Sequence, residues 1–120
     1  ARAGTSTTWS FGDLDGDLKD YAWYNRNIPA RHQMEVAQKK PNPWGLYDMH
    51  GNVYEWVRDF YDPSYYARSP RTNPKGPMDG REHVIRGGSF QYGGGYTTSF
   101  FRESYASARI NIGFRVCRLP

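Results

Sequence analysis

The sequence predicts one small domain of the α+β or mostly-β class, with short strands and much irregular loop structure. Its 120 residues are enough for one domain and too few for two. Hydrophobic residues make up 38% of the chain, which allows a packed core, while 13 glycines and 8 prolines are typical of a chain rich in turns. No helical hydrophobic period persists for even ~11 residues, so we expect no long helix.

Short extended or turn segments are predicted at residues 9–11 and 21–24, with an acidic turn at 12–20 between them. The aspartates of this turn are spaced as in an EF-hand loop. However, its glycine stands at the fourth position instead of the sixth, and Tyr24 takes the place of the final glutamate. We therefore interpret residues 12–20 as a solvated turn.

Strands are predicted where β-branched and aromatic residues are dense, at 53–61, 84–86 and 112–118. Two glycines, at 87 and 88, end the second of these strands. The stretch 63–80 contains four prolines and few apolar residues, so we expect a long surface loop there.

The net charge of +4 lies entirely in the last third of the chain. Residues 1–80 are neutral, whereas residues 81–120 carry six arginines against two glutamates. These arginines form no basic run, so no nucleic-acid partner is expected and several should be structural. We expect backbone carbonyls or carboxylates to hold Arg86, Arg102 and Arg115.

Several classes of protein find no support in the sequence. No apolar run approaches the ~18 residues of a membrane span, and no signal peptide is visible, although surface display or secretion stays possible as a location. The single cysteine, Cys117, excludes an internal disulfide framework and a multi-thiolate zinc site, and on a predicted strand we expect it to be buried. The histidines form no i,i+4 metal pair, and Ser89 lacks the following glycine of a nucleophile elbow.

The segment 91–111 has a composition unlike that of a core or a linker. Tyr and Phe supply five of its 21 residues, Gly, Ser, Thr and Ala supply ten, and Ile110 is its one aliphatic residue larger than alanine. Tyrosine mixed with small polar residues is typical of an antibody paratope, while internal packing of the same aromatics is the alternative. The predicted exposed, ligand-binding face includes Tyr92, Tyr96, Thr97, Thr98, Phe100, Phe101, Tyr105, Ser107 and Ala108. Alternation along an extended segment turns some side chains inward, so we expect about two-thirds of them to be exposed.

Separated motifs carry a resemblance to a known family. They are Asn42–Phe60 (NPWGLYDMHGNVYEWVRDF), Val84–Ser89 (VIRGGS) and Asn111–Arg115 (NIGFR), supported by Ala1–Thr5 and Asp20–Tyr24. Together they resemble the formylglycine-generating-enzyme-like, or sulfatase-modifying-factor, family, a branch of the C-type lectin fold. The resemblance implies a single α+β, C-type lectin-like domain over residues 1–120. It also implies that the N-terminal portion of the family domain is missing, as in a shortened version or a fragment.

The resemblance further implies a structural calcium ion at Asp48, Gly51, Val53 and Glu55. The chemistry is consistent with it, because two carboxylates flank a glycine turn whose carbonyls can converge, and Ca²⁺ takes six to eight oxygens at about 2.3–2.6 Å. The alternative is that Asp48 caps the turn and Glu55 is solvated.

Enzymes of the resembled family oxidise a substrate cysteine with a pair of their own cysteines, placed between the RGGS-like and GFR-like motifs. Here that interval, residues 90–114, contains no cysteine. A thiolate is the redox centre and the metal ligand in such chemistry. The sequence therefore predicts a protein that is not an enzyme and binds no copper.

A narrower resemblance is to the variable proteins of diversity-generating retroelements, which display a hypervariable surface on this fold. It implies that residues 90–111 form a variable segment whose ligand is a macromolecule or cell-surface component, with protein the expected class. Adenine mutagenesis of an Asn codon never yields Gln or Glu, so Gln91 and Glu103 would be invariant positions. The alternatives are an enzyme homologue that has lost its cysteines, a fragment of one, or another binding or structural module.

Overall fold

A computed structural model describes residues 1–117 and shows a four-stranded mixed sheet, a separate pair of short strands and long connecting loops. The α+β, C-type lectin-like class predicted from the sequence is confirmed. The helices are α1 (Leu18–Tyr21) and α2 (Tyr65–Arg68), with 3-10 turns at Asp15–Asp17 and Gly94–Thr97. The strands are β1 (Ala22–Trp23), β2 (His50–Gly51), β3 (Tyr54–Phe60), β4 (His83–Arg86), β5 (Glu103–Tyr105) and β6 (Ile112–Gly113).

The larger sheet has the strand order β5-β4-β3-β6. Its central pair, β3 and β4, is antiparallel, and the register shifts between Trp56 and Phe60 as in a β-bulge. Strand β4 also pairs antiparallel with β5, while β6 runs parallel to β3. Both Val84 and Ile85 of β4 are buried, as expected for aliphatic residues at the centre of a sheet.

A second core lies near the amino-terminal end, around Trp9, Leu18 and Ala22. The indole Nε1 of Trp9 donates to Thr97 Oγ1 at 3.0 Å, which attaches the 3-10 turn Gly94–Thr97 to this core. Strand β1 pairs in parallel with β2, and this pairing connects the second core to His50 and Gly51, which precede β3 in the chain.

Most predicted elements are present, with different lengths. Strands β3 and β4 confirm the predictions at 53–61 and 84–86. The acidic turn contains a 3-10 turn and α1, and the loop 63–80 contains the four-residue α2. The predicted strand 112–118 is wrong beyond Gly113, where β6 ends, and its last residue lies outside the described part of the chain. Cys117 is exposed, which corrects the prediction that a strand would bury it.

The predicted roles of three arginines are confirmed. Arg86 Nη1 donates to the carbonyls of Phe100 at 3.0 Å and Phe101 at 2.9 Å. Arg102 Nη2 donates to the Asp62 carbonyl at 3.0 Å. The Arg115 Nη2 atom is 2.6 Å from Glu55 Oε1. These guanidinium groups hold loop backbone to the sheet, which suits a domain with few long elements.

None of the helices formed by residues 1–117 has the length and apolar character needed to cross a bilayer.

Candidate ligand-binding face

Four aromatic rings from two parts of the chain form a closed circuit. The ring centroids of Tyr92 and Tyr96 are 5.1 Å apart, and those of Tyr96 and Phe101 are 5.0 Å apart. Tyr54 of β3 completes the circuit, at 5.9 Å from Tyr92 and 6.4 Å from Phe101. Tyr54 is 2% exposed and forms the floor. Tyr92, Tyr96 and Phe101 lie on this floor. We call these three residues, together with their neighbours Phe100 and Tyr105, the aromatic face.

Backbone hydrogen bonds fix the segment that carries these rings. Phe90 N donates to the Asn52 carbonyl at 2.7 Å, and the Tyr92 carbonyl accepts from Asn25 N at 3.2 Å. Ser99 N donates to the Thr8 carbonyl at 2.8 Å. The segment is therefore held to the rest of the domain before and after the Gly93–Gly95 run, which fixes the positions of its rings.

The side chains of the aromatic face differ in exposure. Tyr96 is 42% exposed and Phe100 is 60% exposed, whereas Tyr92, Phe101 and Tyr105 are half-buried. Ser107 and Ala108 are exposed on the loop that follows β5. Arg109 places its guanidinium 4.5 Å from the centroid of the Tyr105 ring, a cation–π contact at the rim of the face.

The placement of Thr97 and Thr98 on the exposed face is wrong, because both residues are buried. Thr97 faces the amino-terminal core, where its Oγ1 accepts from Trp9 at 3.0 Å and donates to the Gly94 carbonyl at 2.7 Å. Composition alone could not separate these threonines from their displayed neighbours. It also missed Tyr54, whose signal was an aromatic residue near the start of the predicted strand 53–61.

Burial strengthens the preference of Tyr54 and Tyr92 for the neutral form. The pKa of Tyr54 is raised, first by burial and then by the electrostatic repulsion that its ionised form would meet from Tyr92 and Glu103. The pKa of Tyr92 is raised by burial and by Tyr105. Tyr54 and Tyr92 therefore resist ionisation more strongly than an exposed tyrosine, and the guanidinium of Arg109 lies beside the face, on the Tyr105 ring.

A buried histidine supports the turn beneath Tyr96. His50 is held between the Thr97 carbonyl, 2.8 Å from Nδ1, and Ser10, whose N and Oγ lie 3.2 Å and 3.1 Å from Nε2. A carbonyl can only accept, so Nδ1 carries the proton and Nε2 accepts from Ser10. Burial lowers the pKa of His50, and the bond to Thr97 opposes this in part. The neutral ring is therefore a structural link and not a ligand group.

The four residues predicted to bind calcium lie together. Asp48, Gly51, Val53 and Glu55 all line one cavity of about 390 Å³. Asp48 Oδ2 accepts from Ala37 N at 2.7 Å, and both Glu55 oxygens are engaged by the Arg115 guanidinium. Residues 1–117 contain no group of three His, Cys, Asp or Glu side chains arranged to hold a metal ion. A cation in this cavity would therefore need backbone carbonyls as well as the two carboxylates.

Comparison with known proteins places this geometry in a family. The family model described as "Sulfatase-modifying factor enzyme 1-like domain" matches residues 1–119. A formylglycine-generating enzyme of Streptomyces coelicolor is 40% identical over 85 residues, which is 67% of this chain and 27% of that protein.

Two solved structures share the fold. Treponema denticola variable protein 1 is 34% identical with a TM-score of 0.81, and the match covers 95% of this chain and 41% of that one. PvdO from Pseudomonas aeruginosa is 28% identical with a TM-score of 0.79, covering 95% of this chain and 46% of that one. The chain thus spans about a quarter of the Streptomyces enzyme and less than half of each solved structure.

Proposed function

Since this chain belongs to the sulfatase-modifying factor enzyme 1-like domain family, we propose that it is a non-catalytic member that binds ligands through the aromatic face. The observation that carries the proposal is the ring circuit on Tyr54, with Tyr96 and Phe100 displayed above it. Aromatic rings held in place offer contact area at low entropic cost, and exposed aromatic residues grouped together mark interaction sites.

The proposal includes diversification of the surface. Residues 90–111 are the proposed variable segment of a protein made by a diversity-generating retroelement, and the likeness to Treponema denticola variable protein 1 supports it. The ligand is a macromolecule or cell-surface component, with protein the expected class and nucleic acid not expected. The gene neighbourhood tests this directly: we expect a reverse transcriptase gene and an imperfect repeat of the 3′ coding end.

The exposed rings should be dispensable for folding. The double variant Tyr96→Ala/Phe100→Ala should unfold within about 3 °C of the parent chain, because surface substitutions usually change stability by about 0.5 kcal/mol or less. Tyr54→Ala is the matched control, and its loss of a buried ring should cost about 3–5 kcal/mol. Thermal unfolding followed by circular dichroism measures both. Equal destabilisation in the two variants would assign the whole face to the core and remove the proposed site.

We further propose that the protein does not generate formylglycine. The support is the interval 90–116, which lacks the cysteine pair that the resembled chemistry uses. Incubation with a cysteine-containing sulfatase-type peptide, copper and oxygen is expected to leave the peptide mass unchanged in a mass spectrum. Conversion above a control without protein would contradict the proposal.

Calcium remains a proposal for the cavity lined by Asp48, Gly51, Val53 and Glu55. The cavity offers two carboxylates, the ligand type that a hard cation prefers, and a bound calcium ion would have to displace the Arg115 guanidinium from Glu55. If calcium binds, EDTA should lower the melting temperature by several degrees and excess Ca²⁺ should restore it. Glu55→Ala should remove this response, whereas Glu35→Ala, a change at an exposed residue outside the cavity, should keep it. A melting curve indifferent to both additions would contradict calcium binding.

A further inference from the structure

A polar pocket adjoins the aromatic face. It has a volume of about 360 Å³ and is lined by Asn25, Ile28, Arg31, Phe90 and Gln91. The pocket and the face share backbone, because Gln91 precedes Tyr92 and the Asn25 N–H donates to the Tyr92 carbonyl at 3.2 Å. The pocket and the aromatic face are therefore neighbours along the backbone of residues 90–92.

The polar side chains of the pocket have unused hydrogen-bonding capacity. The guanidinium of Arg31 and the side-chain amides of Asn25 and Gln91 make no hydrogen bond or ion pair with any residue between 1 and 117. All three residues are exposed, and no carboxylate lines the pocket. Its remaining lining is apolar, from Ile28 and from Phe90, which is 2% exposed. The pocket thus combines the positive charge of Arg31 and the side-chain amides of Asn25 and Gln91 with an apolar surface.

We propose that this pocket binds the carboxylate of an acidic side chain of a protein ligand that covers the aromatic face. The guanidinium of Arg31 can pair with both carboxylate oxygens, and the amide groups of Asn25 and Gln91 can donate to the same oxygens. A single guanidinium matches the single charge of a carboxylate. Phosphate, which carries up to two charges, is less well matched by a single cation. This inference rests on the proposed function of the face.

The pocket is also placed to act as a constant anchor beside a changing surface. Asn25, Ile28 and Arg31 lie outside the segment 90–111, and glutamine at 91 is outside the set that adenine mutagenesis of an Asn codon can reach. Phe90 lies within the segment, but it is only 2% exposed and is constrained by packing. Variants of the segment would then differ in the shape that they recognise and share the requirement for an acidic group. The ligand class would be fixed while the ligand identity changes.

The experiment uses displayed random peptides selected on the full chain. Each binding peptide is synthesised in two forms, one with its Asp or Glu and one with Asn or Gln at the same position. The dissociation constants of the two forms are measured by calorimetry at constant ionic strength. We expect an acidic residue in the selected peptides, and its replacement should weaken binding roughly tenfold to a hundredfold. Arg31→Gln should cause a similar loss for the acidic peptide and little for its amide counterpart. Arg26→Gln, the same change at an exposed arginine outside the pocket, is the control and should bind normally.

The outcomes distinguish a failure of the proposed pocket from a failure of the proposed binding face. Peptides that lose affinity with Tyr96→Ala/Phe100→Ala and keep it with Arg31→Gln would overturn the pocket and leave the face intact. Competition by inorganic phosphate at lower concentration than acetate would overturn the assignment to a carboxylate. Peptides that bind unaffected by either variant would contradict the face and, with it, the pocket. Melting curves of Arg31→Gln and Arg26→Gln should match that of the parent, since neither side chain forms a hydrogen bond or ion pair with another described residue.

Discussion

Replacing Gly51 by alanine is expected to lower the free energy of unfolding by at least about 4 kcal/mol, and so to abolish the folded domain if its stability is ordinary. Gly51 has φ +78° and lies in β2 directly against β1. A Cβ atom there would lie 2.3 Å from the carbonyl oxygen of Trp23 and 3.0 Å from its carbonyl carbon. These are backbone atoms, which cannot turn aside as the end of a flexible side chain could.

Relief of the clash would separate the two strands. This separation would first break two hydrogen bonds. Asn52 N donates to the Trp23 carbonyl at 2.7 Å, and Gly51 N donates to the Gly87 carbonyl at 2.7 Å. The positive φ adds a further penalty of roughly 1–2 kcal/mol for any residue with a Cβ. Loss of this junction would detach the amino-terminal core from the sheet that supports Tyr54.

Gly45 provides the matched control. It has φ +75°, nearly the same as Gly51, but a Cβ there would meet nothing within 4 Å. Gly45→Ala should therefore cost only the conformational penalty of about 1–2 kcal/mol. Urea unfolding of the two variants and the parent measures the difference. Equal losses of stability would show that the contact with Trp23 relaxes without cost, contrary to the close packing seen here.

The strands and the general position of the face could be predicted, because both depend on local composition. Dense β-branched and aromatic residues indicated β3 and β4, and the mixture of Tyr with small residues indicated the segment that carries the face. Cys117 was misplaced because a β-rich composition does not specify where pairing ends. In the fold, pairing with β3 stops at Gly113 and the following residues are exposed.

The direction of individual side chains could not be predicted, because it depends on partners far along the chain. Thr97 is buried by Trp9, which lies 88 positions away. Tyr54 becomes the floor of the face only when the loop after Ser89 returns over β3. The pocket around Arg31 likewise joins residues 25–31 to residues 90 and 91. No local spacing or period relates these segments.

The pair Thr97 and Thr98 should respond oppositely to the same substitution. Thr97→Val keeps the volume and removes the hydroxyl, leaving the buried Trp9 indole N–H without its acceptor. An unsatisfied buried group costs about 1–3 kcal/mol, so we expect a loss of this size. The Thr98 hydroxyl is buried with no hydrogen-bond partner within residues 1–117, so Thr98→Val should be neutral or slightly stabilising.

Urea unfolding of the two valine variants tests both the packing and the limits of diversification. A cost at Thr98 equal to that at Thr97 would contradict the hydrogen-bond assignment. If the expected difference is found, variation within 90–111 is permitted where side chains such as Tyr96 and Phe100 point outward. It is forbidden at Thr97, because most replacements there would leave Trp9 unsatisfied and release the turn that positions Tyr96. The proposed diversification would then be confined to outward-pointing side chains arranged around fixed internal positions.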